Sequence, residues 1–294
     1  KPQEYNDEYS IRRSFRSEYV TVDHLADQDG FLASGVTLPE LDEDGRILYV
    51  LANTADEVNR ARQVLERLTK DDAFRADGLE RVVFALPSEP LPLTEAALEV
   101  ASLLEMEQDK ELTSEDPLIL PEIQQMVDDS RSHLQQLIDR LTIPKPEQTV
   151  TWFYQGQAAE IASPRILRRF LSNLMRQVYR ATPKICSEVI VRKKPSAVVV
   201  NSRKKLLLAV LERCGQEMFG IEGNFPDASM CRTVLVGTGI YQRDDKSGRW
   251  GWGSPKAIAD PGLREVWRLV EEFFTESAPS GKSPSELLDR LAAP

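Results

Sequence analysis

The sequence predicts an α+β protein, and three observations carry that prediction. A strand-like run, an amphipathic stretch and a second strand-like run follow one another between Arg46 and Pro87, which is the pattern of a βαβ unit. Apolar residues at spacings of three and four recur from Thr94 to Leu141, which reads as helix. Between Ser202 and Trp252 two helical segments precede a short hairpin signal, the element order of a winged helix. The expected architecture is an α/β N-terminal half with a small βαβ sheet and long helices, followed by a mostly helical C-terminal half with a winged-helix-like unit.

Each element has a local reason. Residues 1–46 are polar and acidic, with Gly30, Gly35, Pro39 and the turn signal Asp44-Gly45. The run Arg46-Ile47-Leu48-Tyr49-Val50-Leu51 is β-branched and aromatic, a strand and the candidate second arm of a hairpin. Asn53-Thr54 offers an N-cap to a helix whose stripe is Val58, Ala61, Val64, Leu65 and Leu68. A second buried strand, Arg81 to Leu86, closes at Pro87. The helix from Thr94 to about Gln108 carries Ala97, Leu98, Val100, Ala101 and Leu104. The next, Pro121 to about Leu141, carries Ile123, Met126, Val127, Leu134, Leu137, Ile138 and Leu141. That stripe suits either an antiparallel helix pair or packing on the sheet, the latter being preferred.

Pro144 and Pro146 cannot continue a helix, so 142–147 reads as the linker between domains 1–146 and 147–294. Thr149 to Tyr154 is a strand by composition, and Ser163-Pro164 opens a helix with apolar Leu167, Phe170, Leu171, Leu174 and Val178. Ser202 reads as the cap of a helix carrying Leu206, Leu207, Val210, Leu211 and Cys214. Asn224 to Asp227 introduces a shorter helix through Leu235, stopped by Gly237 and Gly239. Ile240 to Arg243 and Arg249 to Trp252 then flank a polar tip. Two amphipathic segments, 262–276 and 283–291, complete the chain.

Composition sets the class. With 294 residues, 41% hydrophobic and 29% charged, the chain can fill a core, which excludes whole-chain disorder. No run approaches eighteen apolar residues, so a membrane role is not expected, nor does a signal-peptide pattern open the sequence. Cys186, Cys214 and Cys231 are odd in number and lack a C-x-x-C pair. A reducing, cytoplasmic setting fits them, with small core residues as their default role. The start at Lys1-Pro2 reads as a piece of a longer protein, though tag removal would give the same start.

The net charge of −10 is unevenly distributed. Residues 1–162 hold 15 Lys/Arg against 33 Asp/Glu, a balance of −18, and residues 163–256 hold 18 against 7, a balance of +11. The remainder is −3. Such asymmetry points to an interaction surface, or to one half neutralising the other.

Catalytic motifs are sparse. Gly281-Lys282-Ser283 resembles the end of a phosphate loop, but Glu276 stands where the earlier glycine belongs and the preceding segment is helical. Gly237-Thr238-Gly239 has Gln242 at the third glycine position and no following helix, so it reads as a helix stop. His24 and His133 read as surface histidines. Asp42-Glu43-Asp44-Gly45 lacks a calcium loop and reads as a turn. No cofactor or metal site is expected.

One constellation remains. Arg192, Lys193, Lys194, Arg203, Lys204 and Lys205 are clustered near the winged-helix-like unit, and Arg243, Lys246 and Arg249 would sit on its wing. Arg165, Arg168 and Arg169 lie on the polar face of the preceding helix, and Arg232 on the would-be recognition helix. Clustered cations neutralise phosphate backbones, whereas Ser229, Arg232 and Thr233 are few readers for base edges.

From residue 163 onward the chain resembles a family through Tyr179-Arg180-Ala181-Thr182-Pro183, Glu188 to Arg192, Asn201 to Leu207, Gly220 to Gly223, Thr238 to Tyr241 and Gly248 to Gly251. The family is that of the very large P-loop ATPases of bacterial phage-defence islands, the phage-exclusion (BREX) and phage-growth-limitation types and their relatives. The resemblance covers about 130 residues well and about 120 more loosely. It implies an interior, non-catalytic segment whose parent ATPase keeps its Walker motifs elsewhere, so the chain itself is not expected to be an enzyme. It also implies double-stranded DNA and defence-system proteins, such as a methyltransferase, as partners. The expectation is therefore an interaction module coupling the parent to DNA or partner subunits. The alternative is a protein-docking scaffold without a nucleic-acid role, and a nuclease-type enzyme would need converging carboxylates with a lysine or histidine.

Overall fold

The computed structural model describes residues 1–27, 44–68, 79–110, 112, 118–147, 149–191, 194–277 and 281–292. The expectations drawn for Gly30, Gly35, Pro39, Asp42, Glu43, Arg192 and Lys193 lie outside these residues. In chain order, the first elements are α1 (Gln3–Tyr9), β1 (Phe15–Thr21), α2 (Val22–Ala26), β2 (Gly45–Leu51), α3 (Ala55–Leu68) and β3 (Val82–Pro87). They are followed by α4 (Leu93–Gln108), α5 (Ile119–Thr142), β4 (Val150–Tyr154), β5 (Gln157–Ala159) and α6 (Pro164–Val178). The last are α7 (Glu188–Val191), α8 (Ala197–Glu212), α9 (Pro226–Met230), β6 (Tyr241–Arg243), β7 (Trp250–Trp252), α10 (Pro261–Ser277) and α11 (Pro284–Ala292). Helices with a mixed sheet make this an α+β protein, as the sequence predicts.

The chain divides into two compact units, residues 1–2 with 13–171 and residues 3–12 with 172–294. The boundary drawn at 146/147 is thereby displaced. Helix α5 does end before Pro144, but β4 beyond it pairs antiparallel with β3, so the segment is a helix-to-strand connection within the first unit.

In the first unit, β1 to β5 lie side by side in sequence order. β1, β2 and β3 are mutually parallel, and β4 and β5 add antiparallel. The expected βαβ unit is β2–α3–β3. The expected hairpin before it is not formed, because parallel neighbours β1 and β3 occupy both edges of β2. Val20, Leu48, Val50, Phe84, Leu86 and Phe153 bury one sheet face against Val58, Ala61 and Leu65 of α3. The register Leu48↔Phe84↔Phe153 keeps these side chains on the same face, and a one-residue slip would expose them all. At the start of α3, Thr54 Oγ1 accepts the Glu57 N–H at 3.2 Å, and the Glu57 carboxylate accepts the Asn53 N–H at 2.5 Å. Two helix-end donors are thus satisfied.

Both readings of α5 hold, in different halves. Its first half pairs antiparallel with α4 through Leu103, Ile123 and Val127, with Gln124 donating to Glu107 and Ser130 to Glu99. Its second half, with buried Leu137 and Leu141, packs on β3 and β4. The stripe of α4 is rotated from expectation: Leu93, Ala96, Val100 and Leu103 are buried, whereas Leu98 is exposed, as is Met126 on α5.

The second unit begins with α1. Tyr5 is fully buried, stacks on Tyr9 with ring centroids 4.5 Å apart, and donates to Thr182 Oγ1 at 2.9 Å. Glu8 accepts from Arg176 at 2.9 Å and Lys184 at 2.6 Å. Both cations, Lys184 first, hold its carboxyl below the usual range. Ile240, Ile258 and Leu263 form one small core. Leu206, Ala209, Phe219, Met230, Cys231 and Tyr241 form another, joining α8, α9 and the β6–β7 hairpin.

Helix α8 starts earlier than expected. Ser196, in an extended conformation, caps it by accepting the Val199 N–H, so Ser202 is an interior residue, buried against the core. Helix α9 widens after Met230 into a π-type turn over Cys231–Val236, where the Gly237 N–H reaches Arg232 O at 2.7 Å. Cys231 is buried, but Cys186 and Cys214 are exposed, which corrects the core role expected for both. Among the described residues no helix is long and apolar enough to cross a membrane.

Candidate functional site

The described basic residues singled out from sequence fall on α6, on and just before α8, on the hairpin and, for Arg232, on the π-type turn after α9. Arg165, Arg168 and Arg169 are exposed on α6, within the first unit. In the second unit, Arg203, Lys204 and Lys205 are exposed on α8, with Lys194 exposed just before it. Among the described residues no carboxylate forms an ion pair with Lys194, Arg203, Lys204 or Lys205. Arg243, Lys246 and Arg249 are exposed on the β6–β7 hairpin.

Arg232 and Arg243 have structural duties. Arg232 donates to Gly223 O at 3.0 Å and Asn224 Oδ1 at 3.3 Å, which fastens the turn preceding α9. Arg243 donates to Gly248 O at 3.0 Å and closes the hairpin tip. Inside that tip, Asp244 accepts the Lys246 N–H and the Ser247 hydroxyl. These bonds hold its carboxyl below the usual range, Lys246 contributing most. An ionised Asp244 beside Asp245 offsets two of the three hairpin cations.

The hairpin also borders an open concavity of about 570 Å³, lined by Gln242, Arg243, Lys246, Arg249, Trp250 and Trp252 among others. Trp252 is 48% exposed, with its ring centroid 5.4 Å from that of Tyr241. Tyr241 is fully buried, stacked 4.0 Å from Phe219, and its hydroxyl bridges the Gly215 N–H and Gln216 O. The hairpin is therefore anchored at its base and open at its tip.

A surface missed in the sequence lies on α8. Val199, Ser202, Leu206 and Ala209 face the core, yet Leu207, Leu208 and Leu211 are 58%, 55% and 80% exposed. Lys204, Leu207, Leu208 and Leu211 stand at i, i+3, i+4 and i+7, which places them on one outward stripe. Leu207 and Leu211 read from sequence as packing residues; the geometry turns them away from the core. The available signal was that α8 carries two apolar stripes, one more than a single core contact requires.

Elsewhere the chemistry is bland. His24 is half-buried on α2 and His133 exposed on α5. No group of three metal-ligating side chains converges among the described residues. Lys282 pairs with Glu276 at 2.5 Å rather than opening onto a phosphate cradle, and helix α10 precedes it. Gly237 ends the π-type turn and a strand follows Gly239, so this glycine pair is a helix stop. Burial raises the Cys231 thiol and pushes Tyr154 up to about 12. Tyr154 donates to Glu80 O, a structural bond.

No known family model, curated protein or solved structure matches this chain.

Proposed function

We propose that this chain is a non-catalytic interaction module that docks partner subunits through its second unit, where α8, α9 and the β6–β7 hairpin act as a winged-helix-like body. One observation carries the reading: α8 presents Leu207, Leu208 and Leu211 to solvent beside Arg203, Lys204 and Lys205. Phosphate backbones reward cations, whereas exposed leucines gain only from another apolar surface. The family resemblance supports placing the module inside a larger cytoplasmic phage-defence ATPase, with defence-system proteins such as a methyltransferase among the partners. Its parent would supply the nucleotide chemistry.

A second reading, contact with the backbone of double-stranded DNA, is favoured by the exposed hairpin cations Lys246 and Arg249 next to Trp252. The two readings separate in one titration of the protein against a fluorescent duplex at low and physiological salt. The docking reading expects no complex at physiological salt. A complex that weakens steeply with salt and disappears in Lys246→Glu/Arg249→Glu supports DNA instead.

A further inference from the structure

We infer that the outward face of α8 receives an acidic amphipathic helix of a partner protein. The inference rests on the docking reading and names the partner class. Three features of the face define its occupant. Its centre is the stripe Lys204, Leu207, Leu208 and Leu211, with the spacing of one side of a helix, so an apolar stripe of the same period matches it. Its margins are cationic: Arg203 and Lys205 flank the stripe, and Lys204 lies within it. No acidic residue occurs on α8 before Glu212.

Part of the unit's positive charge is neutralised by its own carboxylates. Arg176 and Lys184 are paired with Glu8, Arg268 with Glu265 and Glu272, and Lys282 and Arg290 with Glu276. The cations of α8, like those of the hairpin, have no such carboxylates among the described residues, and on α8 alone they border exposed leucines, so a partner carrying carboxylates and apolar side chains complements the face. Two copies of the face would set six cations against each other, which disfavours self-association through it. A nucleic acid would leave the leucines against phosphate and water. An acidic helix satisfies both halves, with leucine-type side chains on the stripe and Asp or Glu at its edges.

The test uses the full chain and a fluorescent 20-residue peptide (about five helical turns) with leucines at i, i+3, i+4 and i+7 and glutamates elsewhere. A lysine-for-glutamate peptide, duplex DNA and anionic phosphatidylserine vesicles serve as comparisons. The glutamate peptide should bind, and Leu207→Ser/Leu211→Ser should weaken it about tenfold or more. Arg203→Glu/Lys204→Glu/Lys205→Glu should abolish that binding and transfer it to the lysine peptide. All five side chains are exposed, and circular dichroism checks that each variant stays folded. Peptide binding that ignores both variants overturns the inference. So does equal binding of both peptides, or vesicle binding that the leucine changes remove. Failure of the peptide with no DNA complex overturns the acidic-helix assignment alone. A DNA complex untouched by the leucine changes overturns the docking reading as well.

Discussion

Replacing Tyr241 by phenylalanine tests whether α8, α9 and the hairpin are one body. The ring is fully buried, stacked 4.0 Å from Phe219 and 5.7 Å from Trp250, and phenylalanine preserves that packing. Only the hydroxyl is lost, and with it the 2.8 Å bond from the Gly215 N–H and the 2.9 Å bond to Gln216 O. Each bond is worth about 1 kcal/mol net, and a buried orphan group costs about 1–3 kcal/mol. Because Gly215 and Gln216 are exposed residues, water can meet their freed backbone groups, and the expected loss is that of the two bonds, about 2 kcal/mol. At about 2–4 °C per kcal/mol for a body of this size, the midpoint should fall by about 4–8 °C. Thermal unfolding followed by tryptophan fluorescence measures that shift and urea unfolding the free energy, with Trp250 directly against the altered ring. The same loop holds Met218 and Phe219 at φ of 45° and 53°, a left-handed backbone that costs non-glycine residues energy. Hydrogen exchange at Gly215 should therefore accelerate along with the loss of stability. A loss below about 0.5 kcal/mol, the range of ordinary surface changes, would refute the argument. The loop would then be held by the Phe219 ring alone.

Three further outcomes follow from the geometry. In Gly262→Ala, the new Cβ would lie 2.6 Å from Ala181 O and 2.7 Å from Thr182 O. Overpacking of this kind should cost about 1–3 kcal/mol in the same urea assay, and an unchanged midpoint would contradict the close approach. Arg290 and Lys282 hold the Glu276 carboxyl at about 2, below its ordinary 4.5. Their contribution is full above about pH 4.5 and is lost as pH falls through about 2; a carboxyl-carbon NMR midpoint at the ordinary value would refute the pairing. Iodoacetamide should label exposed Cys186 and Cys214 in the native protein and spare buried Cys231, whose thiol burial raises. Rapid triple labelling by intact mass would overturn that assignment.

The elements legible in the sequence are those whose burial is one-sided or complete. Strands β2 and β3 are apolar at almost every position because both faces are covered. Strand β1 escaped notice because it is an edge strand with only Val20 buried among Arg16, Glu18 and Tyr19. Helix α1 is seven residues long and contributes one buried side chain, Tyr5, whose partner Thr182 is far away in sequence. The phase of α4 is ambiguous in the sequence because Ala97, Leu98 and Ala101 compete with the buried stripe. The start of α8 is hard to place from sequence because Val198, Val199 and Val200 are β-branched and read poorly as helix. Ser202 then looked like the cap that Ser196 provides.

The site was half legible for a related reason. Charge is counted easily, so Arg203, Lys204 and Lys205 stood out, but the sequence could not say which cations were already engaged. Arg232 and Arg243 are tied to backbone carbonyls, and Arg176 and Lys184 share Glu8, a carboxylate that lies outside residues 163–256. The surplus of +11 in residues 163–256 therefore overstates the field available to a phosphate backbone. What is left unpaired on α8 adjoins the leucines that the same sequence reading assigned to the core. A helix whose second apolar stripe is solvent-exposed and ringed by cations is costly to maintain in isolation and prone to association. The combination is most economically explained by a partner that covers the leucines and neutralises the lysines together. For that reason the leucine variants, rather than the charge reversals, decide between protein and nucleic acid: both partners need the cations, and only one needs Leu207 and Leu211.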